Sequence, residues 1–434
     1  MRIFAILLTT SIFFMGYLIL KKLKVNKTIY GLGILFIIYL MKDKLCIDYN
    51  YAVLFLALII IYLEILPKKI NDRIENVKDL IDPMVQRKRK HLLIGLIAGM
   101  CITLKQSTGF IIAIVTIGYP ILFVRNKKDF INFIKIALMR TLGVMIPIII
   151  LLLYLIANQA ILEFVDYCIM GIKTFTNYMP YLDLVKEGKT WIRILAVLVP
   201  VITIITFFVA VIKKDRNLSV LTAYSIVTFA VVFPISDEIH FLIGSYISLL
   251  LIVYLINGLC KKLYQKEKER FQKVEFIKIF SETAILGVTI LFVLLSIKNF
   301  VVYVEDMKTN PSIRHYYAIP MSEEYANMVE KVMQYIESEK ELYILDSDAA
   351  LYMIPLNRYH KNYDMLLKGN LGSEGEKGII QNIKEMSENT KILIKNKKYH
   401  KNWQNPDQVT GYVEENWKKI KEISYFDVYE KEKD

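Results

Sequence analysis

Apolar runs of about 15–20 residues recur through the first 300 positions, divided by short polar segments, and this spacing predicts a chain that crosses a membrane many times. Ten segments read as spans: 3–20, 28–41, 51–66, 92–104, 108–124, 141–157, 191–212, 218–234, 241–257 and 283–300. Several fall short of the about 20 residues a span needs, so they embed in neighbouring helices or thin the bilayer. The first run has only Arg2 before it and Lys21-Lys22 after it. That is the reverse of a signal peptide's charge order, so it reads as a retained span.

After about residue 300 the apolar runs shorten and charge rises. Ser322 is placed to cap a helix running to about Ser338. Glu341–Ser347 reads as a strand, 376–387 as a helix, Thr390–Lys395 as a strand, Asp407–Lys418 as a helix and Ile420–Tyr429 as a final strand. Alternating strands and helices predict a small α/β domain. The expected architecture is therefore an all-α polytopic membrane bundle of about ten transmembrane helices over 1–300, followed by a small C-terminal α/β extracytoplasmic domain over 301–434.

Charge gives the sidedness. The segments 21–27, 67–91, 125–140, 213–217 and 260–282 together hold 27 lysines and arginines. The alternate segments hold 7 before the C-terminal region. The positive-inside rule puts the first set in the cytoplasm of a multi-pass plasma-membrane protein. The turns around Lys105 and Asp237, the segments Lys42–Asn50 and Asn158–Thr190, and everything after Phe300 are then expected outside, as is Met1.

Composition supports this reading. The 434 residues are 55% hydrophobic and carry a formal net charge of +13. The cations cluster between apolar runs, the pattern of loops facing anionic membrane lipid rather than nucleic acid. Cys46, Cys101, Cys168 and Cys260 show no metal-ligand spacing and read as small apolar fillers.

Ionisable groups at membrane depth are costly and therefore functional candidates. Lys105-Gln106-Ser107-Thr108-Gly109 interrupts two apolar runs with a cation, an amide and two hydroxyls, a set suited to a lipid-linked phosphate; an interfacial anchor is the alternative. Gly95 and Gly99 before it permit close helix packing. Asp237, Glu238 and His240 form a second interruption. They can bind a divalent cation, act as acid and base, hydrogen-bond a sugar, or form an ordinary turn. Asp48 is either an acid/base residue or the N-cap of the next helix. The segment 158–190 carries Glu163, Asp166, Tyr167, Tyr178, Tyr181 and Asp183, and its first half has an amphipathic pattern suited to the interface. Glycines 369, 372, 375 and 378 recur every third residue in a polar loop, as a flexible connector or a phosphate cradle. P-loop, H-E-x-x-H and G-x-S-x-G motifs are absent from the sequence.

LLIGLIAGMCITLKQSTGF (92–110), FPISDEIHFLIG (233–244) and CIDYNYAVL (46–54), in this order of sidedness, resemble motifs of the GT-C membrane glycosyltransferases of bacteria, a group that includes aminoarabinose transferases and protein O-mannosyltransferases. LYILDSDAALYMIPL and YDMLLKGNLGSEG (342–375) are similar to the terminal extracytoplasmic domain of uncharacterised members. The resemblance implies a polyprenyl-phosphate-linked sugar donor and inverting transfer on the outer face. It also implies a catalytic carboxylate in a first outer loop after a first span. This chain shows neither, its first span corresponding to the family's second, which is the pattern expected of an N-terminally truncated form, of a protein completed by an upstream polypeptide, or of one that does not catalyse transfer. Asp48 is the nearby substitute. The expected donor-binding residues are Lys105, Gln106, Asp237, Glu238 and His240, with Lys105, Asp237 and His240 converging on one ligand beneath the C-terminal domain. A divalent cation is the one cofactor left open, and the acceptor is a lipid, glycan or protein. The alternative function is a non-catalytic transporter or flippase-type protein for lipid-linked sugars, expected to carry charges and helix breaks at mid-span. A structural scaffold with an adhesive domain is the third class.

Overall fold

In the computed structural model of the protein, the residues described are 2–42, 48–66, 88–176, 178–268, 274–309, 313–316, 319, 321–359, 366–396, 398–399 and 405–431. Asp43, Lys44 and Cys46, like most of segment 67–91, lie outside them. The chain divides into two units, one of residues 1–158 and 179–290, the other of 159–178 and 291–434.

The first unit is helical: α1 (Arg2–Lys22), α2 (Lys27–Met41), α3 (Tyr49–Glu64), α4 (Lys88–Leu104), α5 (Gln106–Gly118), α6 (Lys127–Ala157), α7 (Thr190–Lys213), α8 (Arg216–Thr228) and α9 (Glu238–Lys268), with α10 (Val274–Thr309) running on into the second unit. Each of the ten expected segments is helical. Five helices among the described residues are long and apolar enough to cross a membrane: Ile3–Lys22, Gln106–Phe123, Lys127–Ala157, Thr190–Lys213 and Glu238–Lys262. Lys27–Met41, Tyr49–Glu64 and Arg216–Val232 are apolar but shorter. The protein is thus a membrane-embedded helical bundle with, among the described residues, fewer full-length spans than the hydropathy pattern predicts.

Local chemistry starts these helices. Asn26, Asp48, Asn126 and Asp215 each accept a hydrogen bond from a backbone N–H in the first turn of α2, α3, α6 and α8, satisfying one of the donors a helix N-terminus leaves free. Burial then ranks them. Of the apolar stretch of α9, 67% is enclosed, against 22% for α6, so α9 is central. Leu138, Leu142, Ile149, Ile150 and Leu153 of α6 remain exposed, an apolar face suited to lipid. Glycine sets the α4–α6 contact, as expected of Gly95 and Gly99. A Cβ on Gly95 would collide with the Arg140 backbone, on Gly99 with the Val144 carbonyl, and on Gly143 with the backbone of Leu92 and Leu96. Small residues let the two backbones touch.

Two assignments from charge counting change. Segment 125–140 is helical from Lys127, and Arg140 is buried inside α6. Arg216, the first residue of α8, is buried as well. Neither cation faces solvent in a loop, because each has a carboxylate partner within the bundle.

The second unit contains a four-stranded sheet of order β1-β2-β4-β3, built from β1 (Leu342–Ile344), β2 (Lys391–Lys395), β3 (Lys418–Ile423) and β4 (Phe426–Glu430). β1 and β2 are parallel, and the other pairs antiparallel. Leu393, Phe426 and Val428 face a core with α11 (Glu323–Ser338). Ile392, Ile394 and Tyr429 face the opposite core, with α12 (Gly375–Lys384) and α13 (Asp407–Asn416). Successive strand residues point to opposite faces, so the unbroken apolar run of β2 marks a strand covered on both sides. Ser322 caps α11 as expected. The single strand expected over Ile420–Tyr429 is instead a hairpin turning at Ser424, whose φ is +54°. In segment 158–190, residues 161–174 form short helical turns grouped with the second unit.

Candidate functional site

Lys105 occupies a one-residue break between α4 and α5. Its backbone is extended, with φ −148° and ψ 106°. The flanking turns still close around it: Lys105 N–H donates to the Cys101 carbonyl at 3.0 Å, and Gly109 N–H donates to the Lys105 carbonyl at 2.8 Å. Gly109 is needed here because a Cβ would collide with the Cys101 carbonyl. The Lys105 ammonium donates to Asn50 Oδ1 at 2.7 Å and lies 5.4 Å from the centre of the Tyr49 ring. Asn50 is fully buried. Its backbone N–H and side-chain amide donate to the two Asp48 oxygens at 2.7 and 3.1 Å. A line of bonded groups thus runs from cation to amide to carboxylate. Burial lowers the Lys105 pKa below the ordinary lysine value, with the Asp48 charge opposing the shift. Asp48 caps α3, one of the two roles expected for it. Gln106 is exposed beside Lys105.

The second interruption resolves into two pairs. Asp237 Oδ1 accepts from the His240 backbone N–H at 2.7 Å and lies 2.8 Å from the His240 ring Nδ1. Burial alone would raise the Asp237 carboxyl pKa, but the His240 bonds hold it below the ordinary value. Glu238 pairs with Lys189, each Glu238 oxygen 3.2 Å from the ammonium. The preceding turn is pinned to the start of the Tyr181–Glu187 helix through Met179, which bonds Pro234 and Ser236. Among the described residues no hydrogen bond or ion pair joins Lys105 to Asp237 or His240. Nor do any three His, Cys, Asp or Glu side chains among them stand where they could hold a metal ion.

Beside Glu238 lies a groove of about 580 Å³ between α2, α7 and α9, lined by Phe36, Tyr39, Lys42, Lys189, Trp191 and Glu238, among others. It gathers the end of α2 and the starts of α7 and α9. Asp48 and Lys105 belong to this same end, since α3 begins just after α2 ends and Asn50 holds Lys105.

The opposite end of the bundle carries a network that sequence reading missed. Glu64, at the end of α3, is fully buried. It forms ion pairs with Arg140 of α6 and with Arg216 of α8, the latter at 3.6 Å, and accepts a hydrogen bond from the Tyr119 hydroxyl. Arg140 also donates to the Thr116 carbonyl and, through Nε, to His91 Nδ1 of α4 at 3.2 Å. Four segments meet at one carboxylate, and α4 joins them through Arg140. The available signal was Glu64 itself, the single charge in the apolar sequence of α3. An intramembrane acid calls for a buried cation.

In the second unit, a cavity of about 380 Å³ is lined by Glu163, Asp166, Tyr167, Ser373, Glu374 and Asn382, among others. Gly378 lines it, and the other three glycines of the series make close contacts in the adjoining loop. Gly372 and Gly375 have φ +73° and +62°, a Cβ on Gly372 would strike the Asp166 carboxylate, and one on Gly369 would strike the Phe175 ring. Ser373 N–H donates to Asp166 Oδ1 at 2.9 Å, and the Thr174 hydroxyl donates to the Gly372 carbonyl at 2.6 Å. The glycines permit close backbone approach rather than supplying a flexible connector. Three carboxylates in the lining disfavour phosphate, so the phosphate-cradle role loses its basis.

The chain matches no protein-family model, no curated protein and no solved structure.

Proposed function

We propose that this protein is a membrane glycosyltransferase that moves a sugar from a polyprenyl-phosphate donor to an acceptor hydroxyl. The observation that carries the reading is Lys105: an ammonium anchored by buried Asn50 at a helix break, with an exposed amide on Gln106 and the Asp48 carboxylate next in line. A fixed cation at the end of apolar helices suits a phosphate whose lipid chain lies in the bilayer. In transfer, the acceptor oxygen attacks the anomeric carbon and the carbon–oxygen bond to the lipid phosphate breaks. Lys105 and Gln106 stabilise the departing phosphate. Asp48, joined to that cation through Asn50, is the candidate to take the acceptor's proton. Its two bonds from Asn50 orient it and leave further acceptor capacity.

The reading places about ten spans in the membrane, with the C-terminal domain outside the cytoplasm. Withdrawing Arg140 and Arg216 from the charge count leaves the bias intact. A reporter fused after Asp434 is expected to behave as extracytoplasmic; cytoplasmic activity would reverse the orientation.

The functional test uses the full chain in proteoliposomes with a labelled polyprenyl-phosphate sugar. Lys105→Ala is expected to weaken donor binding by roughly ten- to a hundredfold, the value of one charge-assisted contact of about 1.5–3 kcal/mol. Asp48→Asn is expected to abolish transfer and spare binding. Donor binding unchanged in Lys105→Ala would sink the reading.

A second reading, a transporter for lipid-linked sugars, is motivated by the buried charges of Glu64, Arg140 and Arg216, although they lie at one end of the bundle rather than at mid-span. Movement of the labelled lipid across the vesicle membrane without a transfer product would select it.

A further inference from the structure

The groove between α2, α7 and α9 plays no part in the transfer chemistry above, yet its lining is amphiphilic in an ordered way. Phe36 and Tyr39 are 52% and 55% exposed on the bundle surface, so its apolar side opens laterally. At its polar end stand Lys42, whose ammonium lies 4.8 Å from the centre of the Tyr39 ring, and Lys189, paired with Glu238. Trp191 and Tyr39 present the apolar bodies and polar tips that such rings place at the headgroup level of a bilayer. Two ammonium groups and one carboxylate leave a single excess positive charge. The volume of about 580 Å³ falls within the roughly 300–1,000 Å³ of ligand sites.

We propose that this groove binds one anionic glycerophospholipid from the surrounding leaflet, of the phosphatidylglycerol type. The phosphodiester supplies the one negative charge that the lysines leave unbalanced and sits between Lys42 and Lys189. A headgroup hydroxyl donates to Glu238. One acyl chain runs past Phe36 along the side open to the bilayer. A zwitterionic headgroup brings no net charge and is the weaker ligand. The groove shares no lining residue with the Lys105–Asn50 centre, and the proposal does not depend on the transferase reading.

The test is native mass spectrometry of the full chain released from micelles holding equal phosphatidylglycerol and phosphatidylcholine. One phosphatidylglycerol is expected to be retained in preference. Lys42→Ala with Lys189→Ala is expected to reduce retention about tenfold, whereas the paired Lys→Arg substitutions and Lys105→Ala keep it. Should the alanine pair fail to fold, phosphatidylglycerol brominated on its chains provides the second measurement. It is expected to quench Trp191 fluorescence, read as the difference from Trp191→Phe. Equal retention of the two lipids, retention unchanged in the folded alanine pair, loss in Lys105→Ala alone, or no Trp191 quenching would each overturn the proposal. Displacement of the lipid by a polyprenyl-phosphate sugar at equal concentration would do so too, by making the groove a substrate seat.

Discussion

The two ends of the helical bundle use charge in opposite ways. At one end, Glu64, Arg140 and Arg216 are withdrawn from solvent and spend their charges on one another. At the other, the Lys105 ammonium has, among the described residues, a neutral amide as its hydrogen-bond partner, and the Lys189–Glu238 pair lies on a groove, with Lys189 64% exposed. A fully buried charge network fixes how helices meet, because its groups are aimed at one another and away from solvent. A half-open cation holds attraction in reserve. The first end therefore reads as architecture and the second as recognition, and the expected outcomes below separate these roles.

The largest effect is expected at the closed end. Arg140→Ala leaves Glu64 with one more distant cation and strips His91 and Thr116 of a donor. Removing one member of a buried pair costs about 3–5 kcal/mol, measured as lost thermal stability of the micelle-bound protein. Little change there would show that solvent reaches Glu64 and that this end is open as well.

Gly143→Ala comes next. Its methyl group would meet the Leu92 carbonyl, and overpacking of this kind costs about 1–3 kcal/mol. The loss should appear in stability and leave donor affinity per folded molecule unchanged.

Lys105→Ala should do the reverse, weakening donor binding while shifting stability by less than the two changes above, since loss of the Asn50 bond is offset by relief of the buried amine's desolvation. A large stability loss would move Lys105 into the architectural class. Its pH dependence sharpens the point. Burial lowers the Lys105 pKa, so the binding-competent ammonium is lost as pH rises through a value below the ordinary 10.5. Folding stability has the opposite trend: charging the buried amine is penalised below the folded pKa, and the penalty is relieved as pH rises from that value towards 10.5. Donor binding that persists unchanged to the ordinary lysine range would contradict the burial of this amine.

The smallest effect is expected at Asp237. Its folded pKa is lowered, so its contribution to stability is present above the ordinary 3.8 and is lost as pH falls below it. His240→Ala should shrink that acid-side loss to a fraction of its size, read from unfolding midpoints across acidic pH.

Much of this was legible along the chain. The apolar period placed all ten helices, Asp48 and Ser322 stood out as caps, and Gly95 and Gly99 announced a close helix contact. The β3–β4 hairpin was not legible, because KKIKEISYFDVYE reads as one strand until Ser424 takes a positive φ. The polar residues at the turns were visible as interruptions, but their partners were not. Lys105 was expected with Asp237 and His240; its bonded partner is Asn50, which looked like part of a helix start. Glu238 was grouped with His240, yet its ion pair is with Lys189.

The sequence by itself determined that this chain is membrane-embedded and helical, that an α/β sheet follows, and that cations and carboxylates interrupt the apolar runs. Hydropathy and capping act over a few neighbouring residues, so they are written locally. Which charges are buried against one another and which face a groove was decided only by tertiary packing. Glu64, Arg140 and Arg216 lie 76 and 152 residues apart from first to second and first to third, and only the glycine-mediated approach of α4 to α6, together with the position of α8, brings them to one point. Pairing of distant charges depends on which helices touch, and no local pattern encodes that.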